Sequence, residues 1–195
     1  MILKIRQTGE LVLRQKARPL STEEILGRTI QEFIESMRET MQDAPGVGLA
    51  APQVGVPIQL AVVEDQPKYL EKLPSEQLAE RERDAVPFQV LINPKLTPIG
   101  SETVEFFEGC LSVAGFTALV PRARQVRVEC LNERAEPVVI EAKGWYARIL
   151  QHEIDHLNGA LYLDRMNSRS FSTLDNHVRH WKDLPAAEIT RLVHP

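Results

Sequence analysis

His152-Glu153-Ile154-Asp155-His156 carries two imidazoles and two carboxylates within about one helical turn. Histidines at i and i+4 leave a helix on the same face, so both can reach one ion. Glu153 lies about 100° around the helix from His152, beside such an ion without having to bind it. A carboxylate in that place can take a proton from metal-bound water, and the chemistry indicated is metal-assisted hydrolysis. The pattern is short, and an exposed helix with incidental histidines would read the same way.

A third ligand decides the type of site. His152 to Gly159 fits most of the metzincin protease pattern H-E-x-x-H-x-x-G-x-x-H, but its last position is Tyr162, and Met166 follows too closely for the distant Met-turn. Glu188 is the only glutamate after the helix, which leaves a zincin-type protease as a weaker alternative. Cys110, in Glu108-Gly109-Cys110-Leu111-Ser112, is the better candidate, because a thiolate and two imidazoles leave a fourth position open for water. Free cysteines are more often small buried apolar residues. Cys130 fits that description, since it shares strand parity with Val126 and Val128.

Gly46-Val47-Gly48-Leu49-Ala50-Ala51-Pro52-Gln53 is a loose match to the dinucleotide fingerprint, with Glu64 at a tempting distance. The context is wrong for it. The segment follows an amphipathic helix, and Pro52 stands where a new helix should be growing. There is no Gly-Lys-Ser/Thr of a P-loop. The glycines could instead let backbone approach a substrate, with Gln53 as an amide donor, or form a plain turn.

The elements that must position these groups read as one α+β domain. Ser21-x-x-Glu24 is a capping box opening a helix over residues 22–42, with Ile30, Phe33, Ile34, Met37 and Met41 on its apolar face. Strands are expected at 58–63, 90–93, 103–107, 125–131 and 137–142, the last two as a hairpin. Gly144 precedes the histidine helix, Leu150, Ile154 and Leu157 give it a core-facing stripe, and Gly159 stops it. A charged stretch over 70–84 and the segment 172–182 read as further helices, and Pro185 should interrupt the chain beyond them. The expected architecture is antiparallel β-sheets surrounding a central metal-binding helix, with an N-terminal and a C-terminal helix.

Composition narrows the function classes. The chain has 195 residues and a net charge of −4, so wholesale nucleic-acid binding is not expected and no specific nucleic-acid motif is present. Arg122, Arg124 and Arg127 form one basic cluster, and Arg165, Arg169, Arg179 and Lys182 a looser one; such clusters are usually solvated faces. Any ribosome contact would be transient and through such a patch. His177, His180 and His194 in the tail are expected at the surface. Two cysteines argue against a disulfide scaffold and for a reducing compartment. No membrane segment, signal peptide or transit peptide is apparent.

Gly46–Gln53, Glu108–Ser112 and Gln151–Gly159, in that order, resemble the three signature segments of the peptide deformylases. The resemblance runs from about Ile2 to Arg169, leaves roughly residues 65–88 as an insertion and about 170–195 as a tail, and makes residues 1–195 a single catalytic domain. It implies removal of the formyl group from N-terminal formylmethionine of new polypeptides, releasing formate. Cys110, His152 and His156 would hold one divalent ion: Fe²⁺ is expected, with Zn²⁺, Ni²⁺ or Co²⁺ as substitutes. Glu153 would be the general base and later protonate the leaving amine. Gln53 and the backbone N–H of Leu111 would donate to the oxyanion, and Gly48 and Gly109 would border the substrate. Val47, Phe106, Trp145, Arg148 and Ile149 would form the methionine pocket, with the stem of Arg148 along a wall and its guanidinium in solvent. Glu108 would pair with Arg122. Formylated starts place the protein in a bacterial cytoplasm, with a processed organellar form as the alternative.

Overall fold

Ser21 begins the first helix, α1 (Thr22–Leu26), by reciprocal capping. Its hydroxyl accepts from the Glu24 N–H at 3.2 Å, while the Glu24 carboxylate accepts from the Ser21 N–H at 2.9 Å. The computed structural model describes residues 1–193. In it the expected single helix over 22–42 is two, because Gly27 is extended (φ −69°, ψ 143°) and becomes the N-cap of α2 (Arg28–Asp43). Glycine is a poor helix former and adopts that break cheaply. Beyond it, Ile34, Met37 and Met41 of α2 are buried against Leu49, Leu60, Val62, Val90 and Ile92.

Those partners belong to a five-stranded sheet. It consists of β1 (Gly48–Ala50), β2 (Leu60–Asp65), β3 (Val86–Pro98), β6 (Gln125–Leu131) and β7 (Pro137–Lys143), ordered β1-β2-β3-β6-β7. Every neighbouring pair is antiparallel. Gly48–Ala50, within the glycine motif, is thus an edge strand rather than a plain turn. A second sheet, β4-β5-β8, is built from β4 (Thr103–Cys110), β5 (Val113–Ala123) and β8 (Ser172–Thr173). β5 was not expected from the sequence. Gly115 (φ +84°) and Pro121 interrupt its alternation, yet the β4 ladder runs from Thr103↔Ala123 to Cys110↔Val113.

The histidine helix, α5 (Gly144–Leu157), packs against strands of both sheets. Ala147, Leu150, Ile154 and Leu157 are buried with Ala61, Val63, Val126 and Val128, so its apolar stripe anchors it as the sequence indicates. Gly159 (φ +76°) follows at a place where a Cβ would lie 2.7 Å from the Arg14 carbonyl oxygen.

The region expected as an insertion forms two short helices, α3 (Pro67–Leu70) and α4 (Ser75–Glu80), and docks on the start of α5. There the Trp145 N–H donates to the Arg81 carbonyl at 2.9 Å. The tail forms α6 (Leu174–His180) and α7 (Ala186–Val193). Pro185 opens α7 instead of interrupting it: its carbonyl accepts from the Glu188 and Ile189 N–H groups. His177 is not at the surface but half-buried against the Phe107 ring, while His180 is exposed and His194 lies outside the described residues.

Candidate metal centre and cleft

β4 ends at Cys110, opposite the face of α5 that carries His152 and His156. The Cys110 Sγ and one ring nitrogen of each histidine lie within 4.8 Å of one another, with Sγ 3.3 Å from His156 Nε2. The Ser112 N–H donates to the sulfur at 3.4 Å. His152 turns Nδ1 to the Glu108 carboxylate at 3.0 Å, which leaves Nε2 for an ion and fixes the ring. A thiolate and two convergent imidazoles suit one divalent cation with an open fourth position. Among the described residues no other group of three or more histidine, cysteine or carboxylate side chains is so arranged. Cys130 is instead buried in the core, and burial pushes its thiol up to about 11.

Glu153 lies beside this centre, 4% exposed, and its Oε2 has no hydrogen-bond partner. Burial raises its carboxyl to about 7, against the opposing pull of His152. A Cβ on Gly48 would sit 2.3 Å from Glu153 Oε1. The glycine therefore makes room for the carboxylate, a role the sequence motif does not reveal. Gln53 is 1% exposed and its amide is oriented by β1: the Ala50 N–H donates to Oε1 at 2.8 Å. Its Nε2 then faces the centre, 3.6 Å from Cys110 Sγ and 3.3 Å from Ser112 Oγ. Leu111 follows Cys110, and its carbonyl accepts from Gln7 Nε2 at 3.0 Å.

Behind the histidines the charges are closely paired. Glu108 accepts from Arg122 Nε and Nη2, both at 2.9 Å, and from Arg148 Nη1 at 2.7 Å. Burial alone would raise the Glu108 carboxyl, but hydrogen bonds from Arg122 and His152 hold it well below the usual carboxylate range. Arg122 also donates to Asp155 at 2.5 Å, and Asp155 accepts from Arg165 at 2.7 Å. Arg122 is therefore not part of a solvated basic face. Nor does the Arg148 guanidinium reach solvent. Arg148 is 2% exposed and also donates to the carbonyls of Val120 at 2.8 Å and Val104 at 2.7 Å. Three acceptors, two of them buried and one half-buried, draw it inward and satisfy it there.

A cleft of about 430 Å³ opens onto Cys110, His152 and Glu153. Val47, Gly48, Gly109, Trp145, Arg148 and Ile149 line it. Phe106 does not; it stands behind Trp145, edge-on at 6.4 Å, and Phe107 borders the cleft instead. Alternation along β4 separates the two phenylalanines, and neighbouring aromatics of equal hydrophobicity give no sequence signal to choose between them. Phe116 and Leu174 at the rim were missed because β5 was missed and the tail carries no motif. Neither protease alternative supplies a ligand: Tyr162 is a buried phenol stacked on the His152 ring, and Glu188 is exposed on α7.

Antiparallel sheets enclose a helix that offers two histidines and an unpaired carboxylate, and Cys110 at the end of β4 completes a donor set that defines a metal-binding α+β architecture. The model of the polypeptide deformylase family matches residues 2–172, and the chain belongs to that family. It is 44% identical over 183 residues to the chloroplastic peptide deformylase 1A of Solanum lycopersicum, covering 94% of this chain and 64% of that one. To peptide deformylase 3 of Streptomyces avermitilis it is 46% identical over 179 residues, 92% of this chain and 78% of that one. The Met-Ala-Ser-bound crystal structure of class I type b peptide deformylase from Acinetobacter baumannii superposes with a TM-score of 0.75 at 33% identity, covering 85% of this chain and 99% of that one. No helix among the described residues is long and apolar enough to cross a membrane.

Proposed function

We propose that this chain, acting as one catalytic domain, hydrolyses the N-formyl group of formylmethionyl polypeptides to formate and a free amine. The observation that carries the reading is Glu153, a buried carboxylate without a partner on Oε2, beside a Cys/His/His donor set. Met-Ala-Ser, bound by the Acinetobacter baumannii relative, is what loss of formyl would leave of formyl-Met-Ala-Ser. That supports a methionine side chain in the cleft, walled by Val47, Trp145, Ile149 and the stem of Arg148, with Gly109 at its border.

A divalent ion held by Cys110, His152 and His156 would supply Lewis-acid polarisation at the open position. Fe²⁺ is our choice, and the same donors suit Zn²⁺, Ni²⁺ or Co²⁺. Glu153 takes a proton from the attacking water as the water oxygen bonds to the formyl carbon. It returns a proton to the amine nitrogen as the C–N bond breaks. Gln53 Nε2, held by the Ala50 bond to Oε1, donates to the developing oxyanion together with the Leu111 backbone N–H. The substrate chemistry fits a bacterial cytoplasm, with transient contact at the ribosome where such chains emerge.

Anaerobic formate release from formyl-Met-Ala-Ser by Fe²⁺-loaded protein tests the reading. Wild type should release formate, and Glu153→Ala should keep its metal while losing roughly 10³-fold in kcat. Metal-loaded wild type that releases none would sink the assignment. Loss of metal from Glu153→Ala would make the carboxylate a ligand instead.

A further inference from the structure

Three large apolar side chains stand exposed at one rim of the cleft: Phe116 on β5, Phe171 just before β8, and Leu174 at the start of α6. They are 39%, 42% and 46% exposed. The Phe116 and Phe171 rings are stacked, 5.0 Å between centroids and 9° between planes. Pairing of the two strands at Phe116↔Thr173 and Thr117↔Ser172 sets Phe171 and Leu174 on either side of β8. The arrangement is therefore fixed by sheet geometry rather than by a wandering loop. Phe116 and Leu174 also line the cleft itself, which makes the apolar strip continuous with it. The family match ends at residue 172, so Leu174 lies in the part of the chain beyond it.

We infer that this strip is a track for the polypeptide substrate beyond its methionine, and that it favours large apolar side chains at the third and fourth residues. The inference rests on the deformylase reading given above. Continuity with the cleft identifies the occupant: a polypeptide with its first side chain in the pocket must leave through the mouth. An extended chain advances about 3.3 Å per residue, so the third and fourth residues are the first to travel clear of the pocket. The track has two stacked rings and an isobutyl group and no charged side chain of its own. Its complement is accordingly apolar, since contact there removes apolar surface from water on both partners.

The test compares kcat/KM for formyl-Met-Ala-Leu-Leu and formyl-Met-Ala-Ser-Ser with Fe²⁺-loaded enzyme. Wild type should prefer the leucine peptide by about fivefold, mainly through KM. Phe171→Ser and Leu174→Ser should each bring the ratio close to one, and Phe171→Leu should retain most of it. Because the ratio is internal to each variant, partial misfolding cannot create or abolish it. A wild-type ratio near one, or a ratio unmoved by both serine variants, overturns the track. An unmoved ratio together with a dimer that Phe171→Ser converts to monomer would assign the strip to a second copy of this chain. Formate release from neither peptide would overturn the deformylase reading itself.

Discussion

Two glutamates on opposite sides of His152 show how differently one molecule treats the same side chain. Glu108, behind the His152 ring, accepts from Arg122, Arg148 and His152, and its proton is held off far into the acid range. Glu153, in front, is equally buried but has an oxygen with no partner, and its carboxyl is pushed up to about 7. Two titratable groups driven apart by their surroundings are how a site separates a scaffold charge from a proton carrier. The rear is satisfied and fixed, and the front is kept unsatisfied at a cost in stability. His152 joins the two through Nδ1.

The contrast breaks first at the front if its groups do no chemistry. Gln53→Ala should lower kcat by about 10²–10³-fold, as removal of an oxyanion donor does, with little change in the affinity for unformylated Met-Ala-Ser. Steady-state kinetics beside calorimetric binding separates the two. An unchanged kcat would make Gln53 a structural cap for β1 and nothing more.

Stability should show the front's cost directly. In metal-free protein the Glu153 value of about 7 lies above the ordinary 4.5. Folding then favours the protonated form, so its stabilising contribution is complete below 4.5 and is lost as pH rises through about 7. Glu153→Gln removes this dependence. The unfolding free energy of wild type minus that of the variant should therefore fall by roughly 3 kcal/mol between about pH 4.5 and pH 8. Urea titrations across that range measure it. A flat difference would mean that Glu153 is as well solvated as a surface carboxylate.

How much of this contrast is legible in the sequence depends on how far its causes reach along the chain. His152, Glu153 and His156 are legible because helix periodicity is local and sets their shared face. Cys110 could be separated from Cys130 because strand parity is equally local. The partners of Glu108 are a different matter. Arg122 could be suggested only by family resemblance, and Arg148 was placed in solvent, because its acceptors come from β4 and β5 far along the chain. The need for glycine at position 48 likewise depends on where α5 crosses β1. Gly27 divides a helix that apolar periodicity alone would continue, and Pro185 opens a helix where an interruption was expected. Phe107 displaced Phe106 at the cleft for want of a signal distinguishing adjacent aromatics.

Arg148 gives the most discriminating test of the rear. Burial lowers its guanidinium to about 10, offset by Glu108, so it is still charged near neutrality. Arg148→Met keeps the long apolar stem that lines the cleft and removes only the donors. Glu108 Oε1 retains the 2.9 Å bond from Arg122 Nε, and Val104 and Val120 remain within the β4–β5 ladder. The loss should accordingly be about 2 kcal/mol of stability, below the 3–5 kcal/mol typical of a fully orphaned buried ion pair. Arg148→Lys should recover only part of it, because one ammonium cannot span three separated acceptors. Chemical denaturation gives the stability, and kcat per metal-loaded molecule gives the chemistry. If kcat stays within about threefold of wild type, the rear acts as scaffold and the chemistry resides in front. If kcat falls as far as it does for Gln53→Ala, the Glu108–His152 bond transmits the damage, and the two sides of the helix form one catalytic unit.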